Sequence, residues 1–314
     1  MSWINTTRNP AELVIGAVYI AVPMANVPFY VILIYVMFTD KELCSNPQYN
    51  VLKIVTLLNF GQVLLHMLTG LFILFPGLQV HAQVIVRFCG CTLNSLWLAL
   101  FPPTCVLSVT RILIVHGTVS AKKMPIVMKA LLVLGWLCAI GSWLYGCSTQ
   151  NIFLDYVVWS YDLDKPGAAT IYSAECIICI ASLGISYIAY LMLAILLHLQ
   201  KNEMNNKSRG GQVRIFVQST FTTLYMGGIV LARHHTGIWW KKTYTITFVA
   251  QCAWILFSYL NPLLLITLNK TVRNKLLVLI TSKKEAVQGT TLFVNRDASL
   301  RPSRATGLAS SYVA

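Results

Sequence analysis

The chain has 314 residues, of which 56% are hydrophobic and 11% are charged, and its formal net charge is +14. A soluble domain carries about a quarter charged residues, so this composition excludes an ordinary soluble globular protein. The basic balance requires no nucleic acid partner, because the anionic inner leaflet of a membrane attracts lysine and arginine beside membrane spans.

Seven apolar segments follow one another along the chain. A bilayer core requires roughly 20 apolar residues at helical rise. A helix is the single-segment structure that satisfies its own backbone polar groups in lipid. The pattern therefore predicts an all-α membrane protein, a seven-transmembrane helix bundle. The predicted spans 1 to 7 are residues 13–38, 54–75, 84–115, 126–146, 171–199, 215–235 and 243–268.

The distribution of charge predicts the orientation of this bundle. With the N-terminus outside, 18 of the 24 lysines and arginines fall on the inner side, whereas the ten acids divide equally between the sides. The positive-inside rule therefore favours an N-out, C-in topology. We accordingly expect an extracellular segment over 1–12, the bundle with a juxtamembrane helix over 13–280, and a polar tail over 281–314. The tail is rich in serine and threonine and is expected to be disordered.

Two features belong to the predicted outer face. Asn5 begins the sequence Asn-Thr-Thr, which is a glycosylation acceptor pattern that also arises by chance. The loop over 147–170 alternates aromatic and acidic residues, which indicates a short β-hairpin lid.

Three of the nine cysteines lie near the outer ends of the spans. Cys89 and Cys91 are in the outer part of span 3, and Cys147 lies where span 4 meets its outer loop. A bridge between these segments would hold the loop over the mouth of the bundle. We favour Cys89–Cys147 as the pair, with Cys91–Cys147 and no bridge as the alternatives.

The outer half of span 3 is the first candidate for a pocket wall. Pro102 and Pro103 lie in the middle of the span, where proline bends or loosens a helix and opens space beside it. Asn94 and Trp97 lie one turn or more further out. We expect both side chains to face a ligand pocket.

Buried polar groups in other spans complete the predicted pocket. Glu175 is the one acid inside any span, and intramembrane acids are usually paired or functional. Its partner is expected to be Arg233 or Arg87; a ligand contact and simple exposure at the interface are the alternatives. Gln251 in span 7 is a further ligand-binding candidate. His66 in span 2 is more often a packed core residue than a ligand group.

At the inner face, two features have both a structural and a functional interpretation. Arg111 closes span 3 and either extends to the lipid headgroups or acts as a gate that meets a partner helix. Pro262 follows Asn261 in span 7 and either forms a simple packing kink or provides a hinge. After span 7, the pattern over 269–280 predicts an amphipathic helix on the inner surface.

These residues carry a family resemblance that covers 12–280. The chain resembles a rhodopsin-like G-protein-coupled receptor and, more narrowly, the nematode serpentine chemoreceptors, class T first among them. The resemblance rests on residues 65–70 in span 2, 110–113 at the end of span 3 and, most specifically, 262–273 after the kink.

The resemblance implies a function as well as a fold. The protein is expected to bind a small molecule in the outer half of the bundle and to activate a heterotrimeric G protein. Arg111, Asn59, Asn261 and Pro262 take the switch and coupling positions. An arrestin and a receptor kinase are expected to act on the tail, and the location is the plasma membrane, by resemblance the cilia of chemosensory neurons.

Several residues depart from the rhodopsin-like pattern. Thr110 stands where an acid usually precedes the arginine of span 3, and Asn59 stands where span 2 usually has an aspartate. Leu265 replaces the tyrosine of the Asn-Pro-x-x-Tyr motif, and span 6 lacks a proline. These departures put the usual switching mechanism in doubt and are typical of a divergent receptor.

Two other classes of membrane protein compete with the receptor. A seven-helix ligand-gated channel of the odorant-receptor type has the inverted topology, which the charge distribution disfavours. A transporter usually shows repeat symmetry with broken helices in both halves, and here span 3 alone looks broken. The sequence contains no catalytic constellation and no metal-ligand spacing, so we expect neither an enzyme nor a cofactor.

Overall fold

The structure, a computed structural model, describes residues 6–7, 9–118, 124–199, 206–239 and 243–279. Asn5 and the tail over 281–314 lie outside these residues. The elements in chain order are α1 (Pro10–Thr39), α2 (Lys41–Ser45), α3 (Pro47–Leu74), α4 (Pro76–His81), α5 (Gln83–Leu98), α6 (Phe101–Val115), α7 (Ile126–Thr149), β1 (Ile152–Asp155), β2 (Val158–Tyr161), α8 (Ala168–Leu199), α9 (Asn206–Trp239) and α10 (Tyr244–Leu268).

The predicted membrane bundle is confirmed. In the described part of the chain, six segments are long and apolar enough to cross a bilayer, namely α1, α3, α5 with α6, α7, α8 and α10. The remaining long helix, α9, packs against both α8 and α10 and completes the seven. Spans 1 to 7 thus correspond to α1, α3, α5–α6, α7, α8, α9 and α10. We call the end of the bundle that carries the β-hairpin the outer end, following the orientation expected from charge.

Span 3 consists of two helices rather than one bent helix. α5 ends at Leu98 and α6 begins at Phe101, so Pro102 and Pro103 occupy the first turn of α6. A helix tolerates proline there because its first amide groups have no intrahelical acceptor. The ring of Pro102 packs against Gly135 of α7, where a Cβ atom would lie 2.3 Å from Pro102 Cβ.

The proline of span 7 is accommodated by side chains of span 1. Pro262 has no amide proton, so the carbonyl of Ser258 lacks its intrahelical donor. Asn26 Nδ2 donates to this carbonyl at 3.2 Å and the Tyr30 hydroxyl donates at 2.7 Å. Since lipid offers no hydrogen bonds, these two donors satisfy the carbonyl and fix span 1 beside the kink.

Spans 1 and 2 approach closely at a pair of glycines. A Cβ atom on Gly70 would lie 2.7 Å from the carbonyl oxygen of Gly16. Small residues let helix backbones come together in membranes, where dispersion contacts rather than hydrophobic burial drive association. The glycine pair therefore sets the distance between α1 and α3.

The predicted amphipathic helix is present over residues 270–279. Its fully buried Val272 packs with Leu33 and Met37 of α1. Lys275 Nζ lies 2.9 Å from Asp40 Oδ2 at the end of the same helix. The segment after span 7 is thereby attached to the inner end of span 1.

The predicted hairpin is also present. β1 and β2 pair antiparallel with Asp155 opposite Val158, and Tyr156 adopts a φ of +54° in the turn between them. This two-stranded unit lies over the outer ends of the helices and forms the roof of the site described below.

We predict that Gly70→Ala destabilises the bundle by about 1–3 kcal/mol, the usual cost of overpacking, because the added methyl group meets backbone. The measurement is thermal unfolding in detergent, followed with a thiol-reactive dye. Gly141→Ala is the matched control, since nothing lies within 4 Å of its added Cβ. Alanine favours a helix over glycine by about 1 kcal/mol, so the control is expected to be neutral or slightly stabilised. Equal midpoints for the two variants would contradict this packing.

Candidate ligand site

The hairpin is inserted into the mouth of the bundle rather than resting on it. Val157 is fully buried, and the ring of Trp159 points down to span 2, where its Nε1 donates to Thr69 Oγ1 at 3.0 Å. Gly90 makes room for this ring, because a Cβ atom there would lie 2.6 Å from Trp159 Cε3. The roof of the site is therefore anchored between spans 2 and 3.

A charged contact holds the far end of the hairpin. Arg87 on α5 pairs with Asp162 at 2.9 Å, and it also donates to the carbonyl of Gln150. Its guanidinium lies 5.9 Å from the centre of the Phe153 ring. Arg87 is thus a partner of the lid and not of Glu175.

A cavity of about 300 Å³ lies beneath the hairpin. This volume is at the small end of the range of about 300–1,000 Å³ that is usual for ligand pockets. Its walls come from the hairpin and from spans 5, 6 and 7. The described residues that line it are Val158, Trp159, Ser160, Tyr172, Ile229, Ala232, Arg233, His234, Ile246, Thr247, Ala250, Gln251 and Trp254.

Behind one wall of the cavity lies a cluster of polar side chains around Glu175. The Glu175 side chain is fully buried. Its Oε2 accepts from Asn94 Nδ2 at 2.9 Å and from the Tyr161 hydroxyl. Its Oε1 lies 3.8 Å from Arg233 Nε and 3.8 Å from His234 Nε2. A carboxylate in a low-dielectric interior is retained only with such partners.

The same cluster is cross-linked by further bonds. Asn94 Nδ2 donates to the Tyr161 hydroxyl at 2.8 Å, and Arg233 donates to Asn94 Oδ1. Burial, and then the neighbouring Glu175 carboxylate, raise the pKa of Tyr161, so its hydroxyl stays protonated and donates. Spans 3, 5 and 6 and the hairpin therefore meet in one network.

The floor of the cavity rests on polar groups of span 2. Arg233 lies over the Trp254 ring, with 4.8 Å from its Cζ to the ring centre, which is a cation–π contact. Trp254 Nε1 donates to Gln62 Oε1 at 2.9 Å. Gln251 Nε2 donates to His66 Nδ1 at 3.3 Å. His66 is fully buried, which agrees with its interpretation as a packed core residue.

The five predicted ligand-binding residues divide into two groups. Arg233 and Gln251 line the cavity. Asn94 and Glu175 are not among its lining residues, because their polar atoms bind one another and Arg233 behind the wall. Trp97 is fully buried below the cavity, with its ring centre 5.4 Å from that of Trp254 and 5.8 Å from that of Phe257.

Other lining residues were missed by the sequence analysis. Tyr172, His234 and Trp159 all line the cavity, and their rings and polar atoms shape it. The one signal for His234 was its position directly after Arg233, near the outer end of span 6. No local pattern indicates that Trp159 of the lid reaches span 2.

At the inner end, Arg111 is directed into the bundle. It donates to Ser219 Oγ of span 6 and interacts with Tyr190 of span 5. A small cavity of about 40 Å³ beside it is lined by Arg111 and Asn261, among others. The interpretation in which Arg111 extends to the lipid headgroups is therefore wrong, because its guanidinium bonds to neighbouring spans instead.

The remaining predicted switch residues lie on spans 2 and 7. Asn59 is fully buried, and its Nδ2 donates to the carbonyl of Val55 in its own helix at 3.0 Å. Asn261 is 6% exposed, and Pro262 lies one turn beyond the Ser258 carbonyl that span 1 satisfies.

The favoured cysteine pair is not found. The nine cysteines, all within the described residues, are free, and the neighbour of Cys147 is Cys91 rather than Cys89. The reason is helical phase. Cys89 and Cys91 are two residues apart and so face about 200° apart on α5, which turns only Cys91 toward the end of α7.

Comparison with known proteins gives one strong result. A family described as "Serpentine type 7TM GPCR chemoreceptor Srt" matches residues 2–289. No curated protein matches the chain significantly. The matched range includes all seven helices, the hairpin and the segment after span 7.

We predict that mild oxidation of the folded protein, with iodine in detergent, links Cys91 to Cys147. Peptide mapping by mass spectrometry identifies the cross-linked pair. Cys91→Ser is expected to abolish the cross-link and the matched variant Cys89→Ser to leave it intact, since only the Cys91 thiol faces Cys147. A Cys89–Cys147 peptide would show that the outer end of α5 is rotated from the position described.

Proposed function

The chain belongs to the serpentine type 7TM GPCR chemoreceptor family Srt, and from this premise we propose that it binds a small molecule in the outer cavity and activates a heterotrimeric G protein. The observation that carries the proposal is the cavity itself. It is lined by the hairpin and by spans 5, 6 and 7, and its polar lining residues Arg233 and Gln251 are held from behind by the Glu175 cluster and by His66 of span 2. Pockets between bundle helices are a usual ligand site.

Ligand binding is proposed to act through Arg233. This residue belongs to span 6, and it contacts Asn94 of span 3, Glu175 of span 5 and Trp254 of span 7. A ligand that bonds to Arg233 changes the balance of these contacts. It thereby favours one arrangement of span 6 over another, which is the differential affinity that a conformational shift requires.

A column of aromatic side chains connects the outer cavity to the inner half of the bundle. Trp254 packs edge-on against Trp97, Trp97 against Phe257, and Phe257 stacks with Tyr225 of span 6 at 5.9 Å. A displacement of Trp254 would therefore also move the side chains of spans 3, 6 and 7 that pack against it. Close-packed groups of this kind shift between discrete arrangements rather than deforming smoothly.

At the inner face, the proposed response is separation of the ends of spans 5, 6 and 7. Arg111 holds spans 5 and 6 through Tyr190 and Ser219. Release of these contacts would expose its guanidinium to a G-protein helix. Asn261 and Pro262 supply the hinge of span 7, where the interrupted backbone bonding makes the helix easier to bend.

The orientation and the tail complete the proposal. We place the N-terminus outside the plasma membrane, with a glycosylation site at Asn5, and the inner face in the cytosol. The segment 281–314 is proposed to be a cytoplasmic tail. It offers serine and threonine side chains to a receptor kinase, and the added phosphate charge would recruit an arrestin. Location in the cilia of chemosensory neurons is a proposal from the family.

We predict that Arg111→Ala abolishes agonist-driven signalling while ligand binding is retained, because the substitution is at the inner face. Ala250→Phe is predicted to reduce sensitivity by about tenfold or more, since the larger ring fills the cavity. Both are measured as dose–response curves in cells that carry a G-protein reporter and are screened with a pool of volatile and water-soluble small molecules.

Two matched variants control for expression and packing. Val249→Phe places the same ring on the adjacent residue of α10, which is 58% exposed to the surroundings of the bundle. Lys129→Ala removes an exposed cation at the inner end of α7. Both are expected to signal as the unmodified receptor does. Full signalling by Arg111→Ala would remove the role proposed for that residue.

We also predict that an epitope tag at the N-terminus is accessible on intact cells and that a tag at the C-terminus is accessible only after permeabilisation. The physical reason is the excess of lysine and arginine on the inner side. The reverse pattern would overturn the proposed orientation and favour the inverted seven-helix channel, for which ion conductance would be the next measurement.

A further inference from the structure

We infer that the ligand is a compact, uncharged, oxygen-containing organic molecule, such as a ketone, ester or alcohol, and not a carboxylate or an ammonium ion. This inference rests on the proposed function of the outer cavity. It concerns the chemical class that the cavity selects, which follows from how the charges around it are arranged.

The charges in and behind the cavity wall compensate one another. Of the described lining residues, Arg233 is the one permanent ion. Its charge is compensated by Glu175, whose Oε1 lies 3.8 Å from Arg233 Nε on the side away from the cavity. Arg233 and Glu175 therefore balance one another, and the pair carries no net charge.

A charged ligand would upset this balance. An anion would compete with Glu175 for the same guanidinium and leave one negative charge in excess in the site. A cation would meet Arg233 first, with Glu175 behind it. Burial of an ion without its own counter-ion is costly in a low-dielectric interior, so both classes are disfavoured.

A neutral oxygen group of a ligand, in contrast, can bond to polar atoms of the wall that have no partner within the described part of the protein. A guanidinium has five N–H donors. Nη2 of Arg233 donates to Asn94, whereas Nη1 has no partner in the structure. On span 7, Gln251 Oε1 also has no partner, and the amide nitrogen of the same side chain bonds to His66. A carbonyl accepts from Arg233, and a hydroxyl can in addition donate to Gln251.

The rest of the cavity lining is mostly apolar and selects the carbon skeleton of the ligand. Ile229, Ile246, Ala250 and Val158 form apolar walls, and Trp254 forms the floor. The volume of about 300 Å³ favours a compact ligand over an extended one. The cavity thus suits a short apolar skeleton with one oxygen function.

The test is direct binding to the purified, full-length receptor in detergent, with four probes of equal chain length: hexanone, hexanol, hexanoate and hexylammonium. Binding is measured from the rise in unfolding temperature with probe concentration. We expect hexanone and hexanol to bind at least about tenfold more tightly than hexanoate and hexylammonium, since an uncompensated buried charge costs at least that factor. Ala250→Phe should abolish the shifts, and Val249→Phe should preserve them.

Two charge variants make the inference falsifiable even if one of them fails to fold. Glu175→Gln leaves Arg233 uncompensated and is expected to raise the affinity for hexanoate relative to hexanone by about tenfold or more. Gln251→Glu adds a negative charge to the wall and is expected to shift the preference toward hexylammonium.

Each outcome has a definite meaning. Tighter binding of hexanoate or hexylammonium by the unmodified receptor would overturn the inference, and so would the absence of a shift with all four probes. Unchanged preferences in both charge variants would overturn it as well. Because the readout needs no G protein, selective binding without any reporter response would support the ligand class while contradicting the proposed signalling function.

Discussion

Lipid offers no hydrogen bonds, and the carboxylate of Glu175 is buried on the membrane-spanning helix α8, so its partners must come from other parts of the chain. Asn94 and Tyr161 donate hydrogen bonds to it, and Arg233 is its ion-pair partner at 3.8 Å. This one requirement brings spans 3, 5 and 6 and the hairpin to a common point. The cavity is the space that remains between this point, span 7 and the lid.

The absence of hydrogen-bond partners in lipid also constrains the inner half of the bundle. The Ser258 carbonyl, freed by Pro262, is satisfied by Asn26 and Tyr30 of span 1. A kink in one helix is thus stabilised by side chains of another, so span 7 cannot straighten or swing without a change at span 1. Polar satisfaction and close van der Waals packing, as at Gly16 and Gly70, give the bundle its specific arrangement. Hydrophobic burial does not, because lipid is as apolar as the side chains that pack in it.

Arg111 has a partner other than the acid that usually precedes it in rhodopsin-like receptors. Thr110 is turned to its own helix, where its hydroxyl donates to the Val106 carbonyl at 2.6 Å. Arg111 is instead held by the neutral hydroxyl of Ser219 on span 6. A hydrogen bond to a neutral group is weaker than a charge pair. The restraint between spans 3 and 6 is therefore weaker than an ion pair would provide.

The sequence by itself determined the membrane class, the positions of the helices, the hairpin between spans 4 and 5, and the amphipathic segment after span 7. Hydropathy and periodicity are local properties, and each of these elements satisfies its own backbone. The sequence also indicated that Glu175 and Arg233 require partners, because ions are costly in lipid. Only the tertiary structure decided which partners they have. Arg87 binds Asp162 rather than Glu175, Cys91 rather than Cys89 faces Cys147, and Asn94 supports the cavity wall instead of lining it. These choices depend on the rotation of each helix about its axis, and that rotation is set by contacts between residues far apart in the chain.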